Sequence, residues 1–269
     1  MQYVEFVPEG VIDCTVRAWI HSTNKSKEMV QRLHPAVIIC PGGAYCMVSD
    51  IEAEPVAEPY FAAGYNVFIL KYSIGEKAKD FGPLIQLAAT ISQIRQRAVE
   101  WHTDKERIAV CGFSAGGHLA CSLGTLYNET AFKAAFGRED NIRPNAMILC
   151  YPVITSGRFA HTNSIQNVSG AKIGSERYQW FGLDKHVDEC TPPTFLWHTA
   201  DDESVPVENS LAFAAALSSA KVPFELHVFP HGKHGMSVCT RQVNAESAYN
   251  ARWMQLSIQW LDTLFSHIK

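Results

Sequence analysis

The chain has 269 residues, of which 47% are hydrophobic and 19% charged, and its net charge is −4, with 23 Lys and Arg against 27 Asp and Glu. That length suffices to bury about 70–75% of the unfolded surface. The lack of a basic cluster argues against nucleic acid or an anionic membrane as the main partner. No apolar run reaches the roughly 18 residues needed to span a bilayer. Residues 1–10 lack the basic start and apolar core of a signal peptide, so the expected compartment is cytoplasmic. Eight cysteines are present and none forms a Cys-x-x-Cys pair. Cys40, Cys111 and Cys150 sit in apolar runs, where a reduced thiol acts as a small hydrophobe.

In chain order, residues 2–7 and 14–20 read as two strands joined by Pro8-Glu9-Gly10, the second alternating as a half-exposed antiparallel strand does. Residues 24–31 read as polar loop. Ala36-Val37-Ile38-Ile39-Cys40 is continuously apolar, as in a strand covered on both faces, and ends at Pro41-Gly42-Gly43-Ala44-Tyr45. Residues 51–63 suggest a helix that Pro55 and Pro59 delay or kink. A strand follows over 65–72. Residues 83–103 carry Leu84, Leu87, Ala88, Ile91, Ile94, Ala98 and Trp101 at helical spacing.

Then comes Ile108-Ala109-Val110-Cys111-Gly112-Phe113-Ser114-Ala115-Gly116-Gly117-His118. An apolar strand turns sharply at Gly-x-Ser-x-Gly and continues as a small-residue helix over 115–126. Residues 146–151 form another buried strand. Residues 155–190 show no sustained period and read as an insertion, a small lid over the carboxyl edge of the sheet. Strands at 194–198 and 224–229 bracket a helix over 206–220, and a helix over 248–268 closes the chain. The alternation of strands and helices predicts one α/β domain: about eight strands, mostly parallel, with antiparallel N-terminal strands and helices on both faces.

A serine hydroxyl needs a base, and the base needs an orienting carboxylate. In a sheet of this kind both stand at the carboxyl ends of later strands. Residues 199–206 offer Asp201 and Asp202, and Asp202, just before Ser204-Val205-Pro206, is the preferred acid, with Asp201 as alternative. Residues 230–236 offer His231 and His234, and His234, followed by Gly235, is the preferred base. No metal site is expected, because two histidines lack the further ligands zinc requires. His118 is carried away from the turn by its helix and is expected to pack or to bond a loop. The glycines of Pro41-Gly42-Gly43-Ala44-Tyr45 allow backbone amides to approach a developing oxyanion.

These motifs resemble the α/β-hydrolase superfamily, and within it the hormone-sensitive-lipase-like esterases and acetylxylan-esterase-like sugar esterases, over residues 33–265. Pro41-Gly42-Gly43-Ala44-Tyr45 is similar to the oxyanion loop, residues 112–120 to the nucleophile segment, and 194–206 with 231–235 to the acid and base segments. Pro41 and Ala44 depart from the histidine and third glycine of the lipase-like pattern and fit the sugar-esterase-like members better. The resemblance implies an α/β-hydrolase fold with Ser114 as nucleophile, Asp202 as acid, His234 as base, and Gly42, Gly43 and Ala115 as oxyanion donors.

The expected activity is cleavage of short acyl esters, including O-acetyl groups on sugars, with no cofactor. Tyr45 and Trp180 are candidate substrate contacts, with Phe181 beside them. A small-molecule ester is the expected partner, and the C-terminal helix offers a surface for a homodimer. The same residues would also serve amide or formamide hydrolysis, and a non-catalytic binding module is the alternative from another class. Because the base must be neutral, activity is expected to fall as pH drops through about 6–7.

Overall fold

A computed structural model of the chain describes residues 1–22, 33–138 and 140–267, so the loop expected over 24–31 lies outside the described residues. Among the described residues, eight strands form one sheet in the order β1-β2-β4-β3-β5-β6-β7-β8. They are β1 (Gln2–Phe6), β2 (Thr15–Ile20), β3 (His34–Cys40), β4 (Asn66–Lys71), β5 (Thr103–Phe113), β6 (Ala146–Cys150), β7 (Thr194–Thr199) and β8 (Phe224–Phe229). β2 pairs antiparallel with β1 and β4, and every other pairing is parallel. This is the mostly parallel sheet with antiparallel N-terminal strands that the alternation predicts.

The apolar runs make sense in two layers. Ala36, Ile38 and Cys40 of β3 face one core, which also holds Leu87 and Ile91 of helix α2 (Gly82–Gln96) and Leu119 and Leu123 of α3 (Ala115–Leu126). Val37 and Ile39 face the other, with Val56 and Tyr60 of α1 (Glu54–Ala62) and Trp253 and Leu261 of the C-terminal helix. A strand buried on both faces has no polar alternation to display.

Three features differ from the sequence expectation. The helix expected over 83–103 ends at Gln96, and Thr103 already opens β5. Ala98 and Trp101 keep helical spacing but belong to turns, where Asn66 Nδ2 donates to the Trp101 carbonyl and to Thr103 Oγ1 at 2.9 and 2.8 Å. Trp101 packs against Phe6 and Phe68, so the apolar spacing marks burial rather than helix. Next, α4 (Thr130–Phe136) was not foreseen and ends at Gly137 in a left-handed conformation. Third, residues 155–190 contain α5 (Thr162–Ser169) and α6 (Glu176–Trp180). The remaining helices, α7 (Glu208–Ser219) and α8 (Arg252–Ser266), lie within their expected ranges. Among the described residues, no helix is long and apolar enough to cross a membrane.

The parallel strands place their carboxyl ends on one edge. Residues 41–45 follow β3, Ser114 follows β5, Tyr151 follows β6, residues 201–202 follow β7, and residues 231–234 follow β8. Ligands of open α/β sheets bind outside this edge.

Candidate active site

Ser114 joins β5 to α3 with φ 52° and ψ −117°, a conformation that L-residues rarely adopt. Its amide donates to the Cys150 carbonyl at 3.0 Å, which holds the turn against the end of β6. The flanking glycines are required by space. A Cβ on Gly112 would lie 2.2 Å from the Gly116 carbonyl oxygen, and one on Gly116 would lie 2.0 Å from the Cys40 carbonyl oxygen. The turn can therefore sit directly on the neighbouring strand only without side chains there.

His234 and Asp202 reach Ser114 from the two adjacent loops. Ser114 Oγ and His234 Nε2 are 2.8 Å apart, and His234 Nδ1 and Asp202 Oδ2 are 2.7 Å apart. A carboxylate only accepts, so the network assigns the Nδ1–H tautomer, leaving Nε2 to accept from the serine hydroxyl. The Ser204 and Val205 amides both donate to Asp202 Oδ1 at 2.9 Å. His198 Nε2 lies 3.5 Å from Oδ2. Burial alone would raise the Asp202 carboxyl, but the hydrogen bonds from His198 and His234, the charge of His234 and the Val205 amide outweigh it. Asp202 is thus held well below the ordinary carboxylate range and stays ionised.

The alternative pair is also formed, but elsewhere. His231 Nδ1 lies 2.9 Å from Asp201 Oδ2, and the Gly232 amide donates to Asp201 Oδ1 at 2.7 Å. Neither residue contacts Ser114.

The loop after β3 is fastened through its carbonyls. The Tyr72 hydroxyl donates to the Pro41 carbonyl at 2.6 Å, Asn167 Nδ2 to the Ala44 carbonyl at 2.7 Å, and the Gly75 amide to the Tyr45 carbonyl at 2.8 Å. The Ser49 amide donates to the Gly42 carbonyl, and the Cys46 and Met47 amides to that of Gly43. One expectation is corrected here. The Gly42 amide, expected as an oxyanion donor, instead donates to Glu52 Oε2 at 2.8 Å. Among the described residues, the Gly43 and Ala44 amides have no acceptor, and neither does the Ala115 amide in the first turn of α3. Gly43 has φ +131°, and Gly42 lies so close to the elbow that a Cβ on it would be 3.1 Å from that of Ser114.

The aromatic candidates are placed differently from expectation. Tyr45 is 1% exposed, and its hydroxyl lies 2.9 Å from His118 Nδ1, so its ring packs behind the loop and is covered from ligands. Trp180 packs on Phe81, Phe181 and His186 and lines, with Phe81, Ala131 and Phe181, a cleft of about 420 Å³ to which neither Ser114 nor His234 contributes. His118 bonds loops, as expected: its Nε2 donates to the Phe181 carbonyl at 3.0 Å. Burial lowers it to about 4, so it stays neutral.

Sequence reasoning missed Glu52 and Tyr151. Glu52 is 3% exposed and Tyr151 2% exposed, and the Tyr151 hydroxyl donates to Glu52 Oε1 at 2.6 Å. The available signal was an acid standing among residues that pack as core: Ala53, Val56 and Ala57 all follow Glu52 into the interior.

The model of the BD-FAE family matches residues 24–217. The endo-1,4-beta-xylanase B of Butyrivibrio fibrisolvens is 34% identical over 224 residues, which is 82% of this chain and 34% of that protein. An acetylxylan esterase from Xylanibacter ruminicola is 28% identical over 217 residues, 76% of this chain and 42% of that protein. The chain therefore spans only part of the length of these curated relatives. Solved structures match along their length. An acetyl ester-xyloside bifunctional hydrolase from Caldicellulosiruptor lactoaceticus superposes with a TM-score of 0.81 at 35% identity, covering 96% of this chain and 91% of that one. A carboxylesterase from Lactobacillus plantarum gives a TM-score of 0.86 at 27% identity, covering 98% of each chain.

Proposed function

This chain belongs to the BD-FAE family of α/β hydrolases, and from that premise we propose that it is a serine ester hydrolase acting on short acyl groups, with O-acetyl groups on sugars as its substrate class. The observation that carries the reading is the unbroken line from Ser114 Oγ through His234 to the buried Asp202 carboxylate. The acetyl-sugar part draws on the names of the acetylxylan esterase and acetyl ester-xyloside hydrolase relatives.

In this reading His234 Nε2 takes the proton of Ser114 as Oγ attacks the ester carbonyl. Asp202 fixes the imidazole and stabilises its charged form. The carbonyl oxygen becomes an oxyanion, which the Gly43 and Ala115 amides meet; these are the expected donors that the fold leaves without acceptors. Collapse of the tetrahedral species expels the alcohol, which takes its proton from His234. Water then attacks the acyl-serine with His234 again as base, releasing the acid and restoring Ser114.

The test is initial rates on p-nitrophenyl esters from acetate to octanoate and on acetylated xylo-oligosaccharides, for the native protein and Ser114→Ala. The reading expects preference for acetate, acetate release from the sugars, and loss of both in the variant. Hydrolysis undiminished in Ser114→Ala would overturn it. Cleavage of amides or formamides in preference to matched esters would move the proposal to the amide reading.

A further inference from the structure

Glu52 lies where a buried carboxylate needs a reason. It stands in the short turn that precedes α1, on the inner side of the oxyanion loop, and both of its oxygens accept hydrogen bonds. Oε2 takes the Gly42 amide at 2.8 Å and Oε1 takes the Tyr151 hydroxyl at 2.6 Å. Tyr151 in turn accepts the Ser237 amide at 2.9 Å, just beyond His234. Ser237 Oγ closes the circuit by donating to the Ile51 carbonyl at 2.5 Å, next to Glu52 itself. The Tyr151 ring stands edge-on to the His234 imidazole, with centroids 5.0 Å apart. Tyr151 holds φ 37°, a left-handed backbone that a bulky residue keeps only where its surroundings impose it.

We propose that Glu52 is a positioning residue which sets the oxyanion loop and the His234 loop in register with Ser114. The inference rests on the ester-hydrolase reading above. By holding the Gly42 N–H, the carboxylate turns the Gly42–Gly43 segment so that the next amides remain free for the oxyanion. Through Tyr151 and Ser237 the same carboxylate braces the loop that presents the base. An acceptor-only pattern on both oxygens suits the ionised form. Glu52 therefore also places a second negative charge, beside that of Asp202, on the side of the site where the imidazolium forms.

Burial pushes the Glu52 carboxyl above its ordinary value, while Tyr151, Gly42, His234 and Ser49 pull it back. The titratable groups facing Glu52 are Tyr72, Cys150, Tyr151 and His234. Those facing His234 are Asp202, Glu52 and, from the start of α5, His161.

The experiment uses p-nitrophenyl acetate, a short alkyl trifluoromethyl ketone as tetrahedral probe, and the variants Glu52→Ala, Glu52→Gln, Tyr151→Phe and Ser114→Ala. One oxyanion donor is worth about 10²–10³ in kcat, so Glu52→Ala should lose about 10²-fold in kcat with KM within about threefold, and the ketone should bind more weakly by a similar factor. Glu52→Gln keeps an acceptor for Gly42 and should recover about tenfold of that loss. With the charge gone, the imidazolium of His234 is less favoured, so the acid limb of its kcat/KM profile should move to lower pH. Tyr151→Phe keeps the ring and breaks the link, and should lower kcat by about tenfold. Unchanged kcat, ketone affinity and acid limb in the Glu52 variants would overturn the proposal, and so would a loss that Gln does not recover and that follows a fall in melting temperature. An inactive Ser114→Ala beside fully active Glu52 variants would sink this inference alone. An active Ser114→Ala would sink the ester-hydrolase reading beneath it.

Discussion

Two carboxylate–imidazole pairs stand side by side at the carboxyl edge of this sheet, made of neighbouring residues and almost equal in length. Asp202 and His234 are 2.7 Å apart; Asp201 and His231 are 2.9 Å apart. They differ in everything around that contact. The side chains of the first pair are 1% and 21% exposed, those of the second 52% and 86%. Both carboxyls are lowered: Asp201 by the His231 hydrogen bond and the Gly232 amide, Asp202 against the opposing effect of its own burial. Only His234 reaches a hydroxyl. A short Asp–His contact is therefore not chemistry by itself. Chemistry needs a third group to act on, and a site dry enough for the fixed charge to matter. An exposed pair of the Asp201–His231 kind is screened by solvent and contributes little.

The comparison can be broken most severely at the base. His234→Ala should lower kcat on p-nitrophenyl acetate by about 10⁴-fold or more, because serine, base and acid act as a unit. Retention of even a tenth of the native rate would mean that another group takes the Ser114 proton. The oxyanion side comes next. A Cβ on Gly43 would lie 2.2 Å from the Met47 carbonyl oxygen, at φ +131°. Gly43→Ala should displace the loop and reduce kcat by about 10²-fold with the fold intact, as followed by circular dichroism and steady-state rates.

A third histidine sharpens the comparison through stability. His118, buried and neutral, titrates at about 4 against an ordinary 6.5. Its lowered value means that the stability is fully present above pH 6.5 and is lost as pH falls toward 4. The protonated unfolded chain gains an advantage of about 3 kcal/mol over that interval. Denaturant melts across this range should show the decline, and His118→Gln should flatten it; an equal decline in both proteins would assign it to other groups. The smallest effect belongs to the exposed pair. His231→Ala should leave kcat/KM within about twofold of native and the melting temperature nearly unchanged.

The legible parts of this protein were those in which one residue type serves one physical need. Continuous apolar runs such as residues 36–40 announce strands covered on both faces. Gly112 and Gly116 announce a turn that admits no side chain. That Ser114, Asp202 and His234 would meet was legible because strand ends in this architecture converge on one edge. Other features were hidden because the same signal has two causes. Ala98 and Trp101 repeat at helical spacing yet sit in turns, since burial and helix both select apolar residues. Gly42 and Gly43 look equivalent in the chain, and only the position of Glu52 shows that one amide is taken and the other left free. Tyr45 follows those glycines and invites a role in ligand contact, but its hydroxyl is spent on His118 in the interior. Tyr151 follows an ordinary buried strand, and its bond to Glu52 joins residues far apart in sequence that no local pattern connects.

The most direct test is to neutralise the two adjacent carboxylates one at a time. kcat/KM for p-nitrophenyl acetate would be measured for Asp202→Asn and Asp201→Asn, with folding checked by thermal melts. Asp202→Asn should lose about 10⁴-fold, because the imidazole loses the acceptor that fixes its tautomer, while Asp201→Asn should stay within about twofold of native. Equal losses in the two variants, or a larger loss for Asp201→Asn, would contradict the assignment of the buried pair to Ser114.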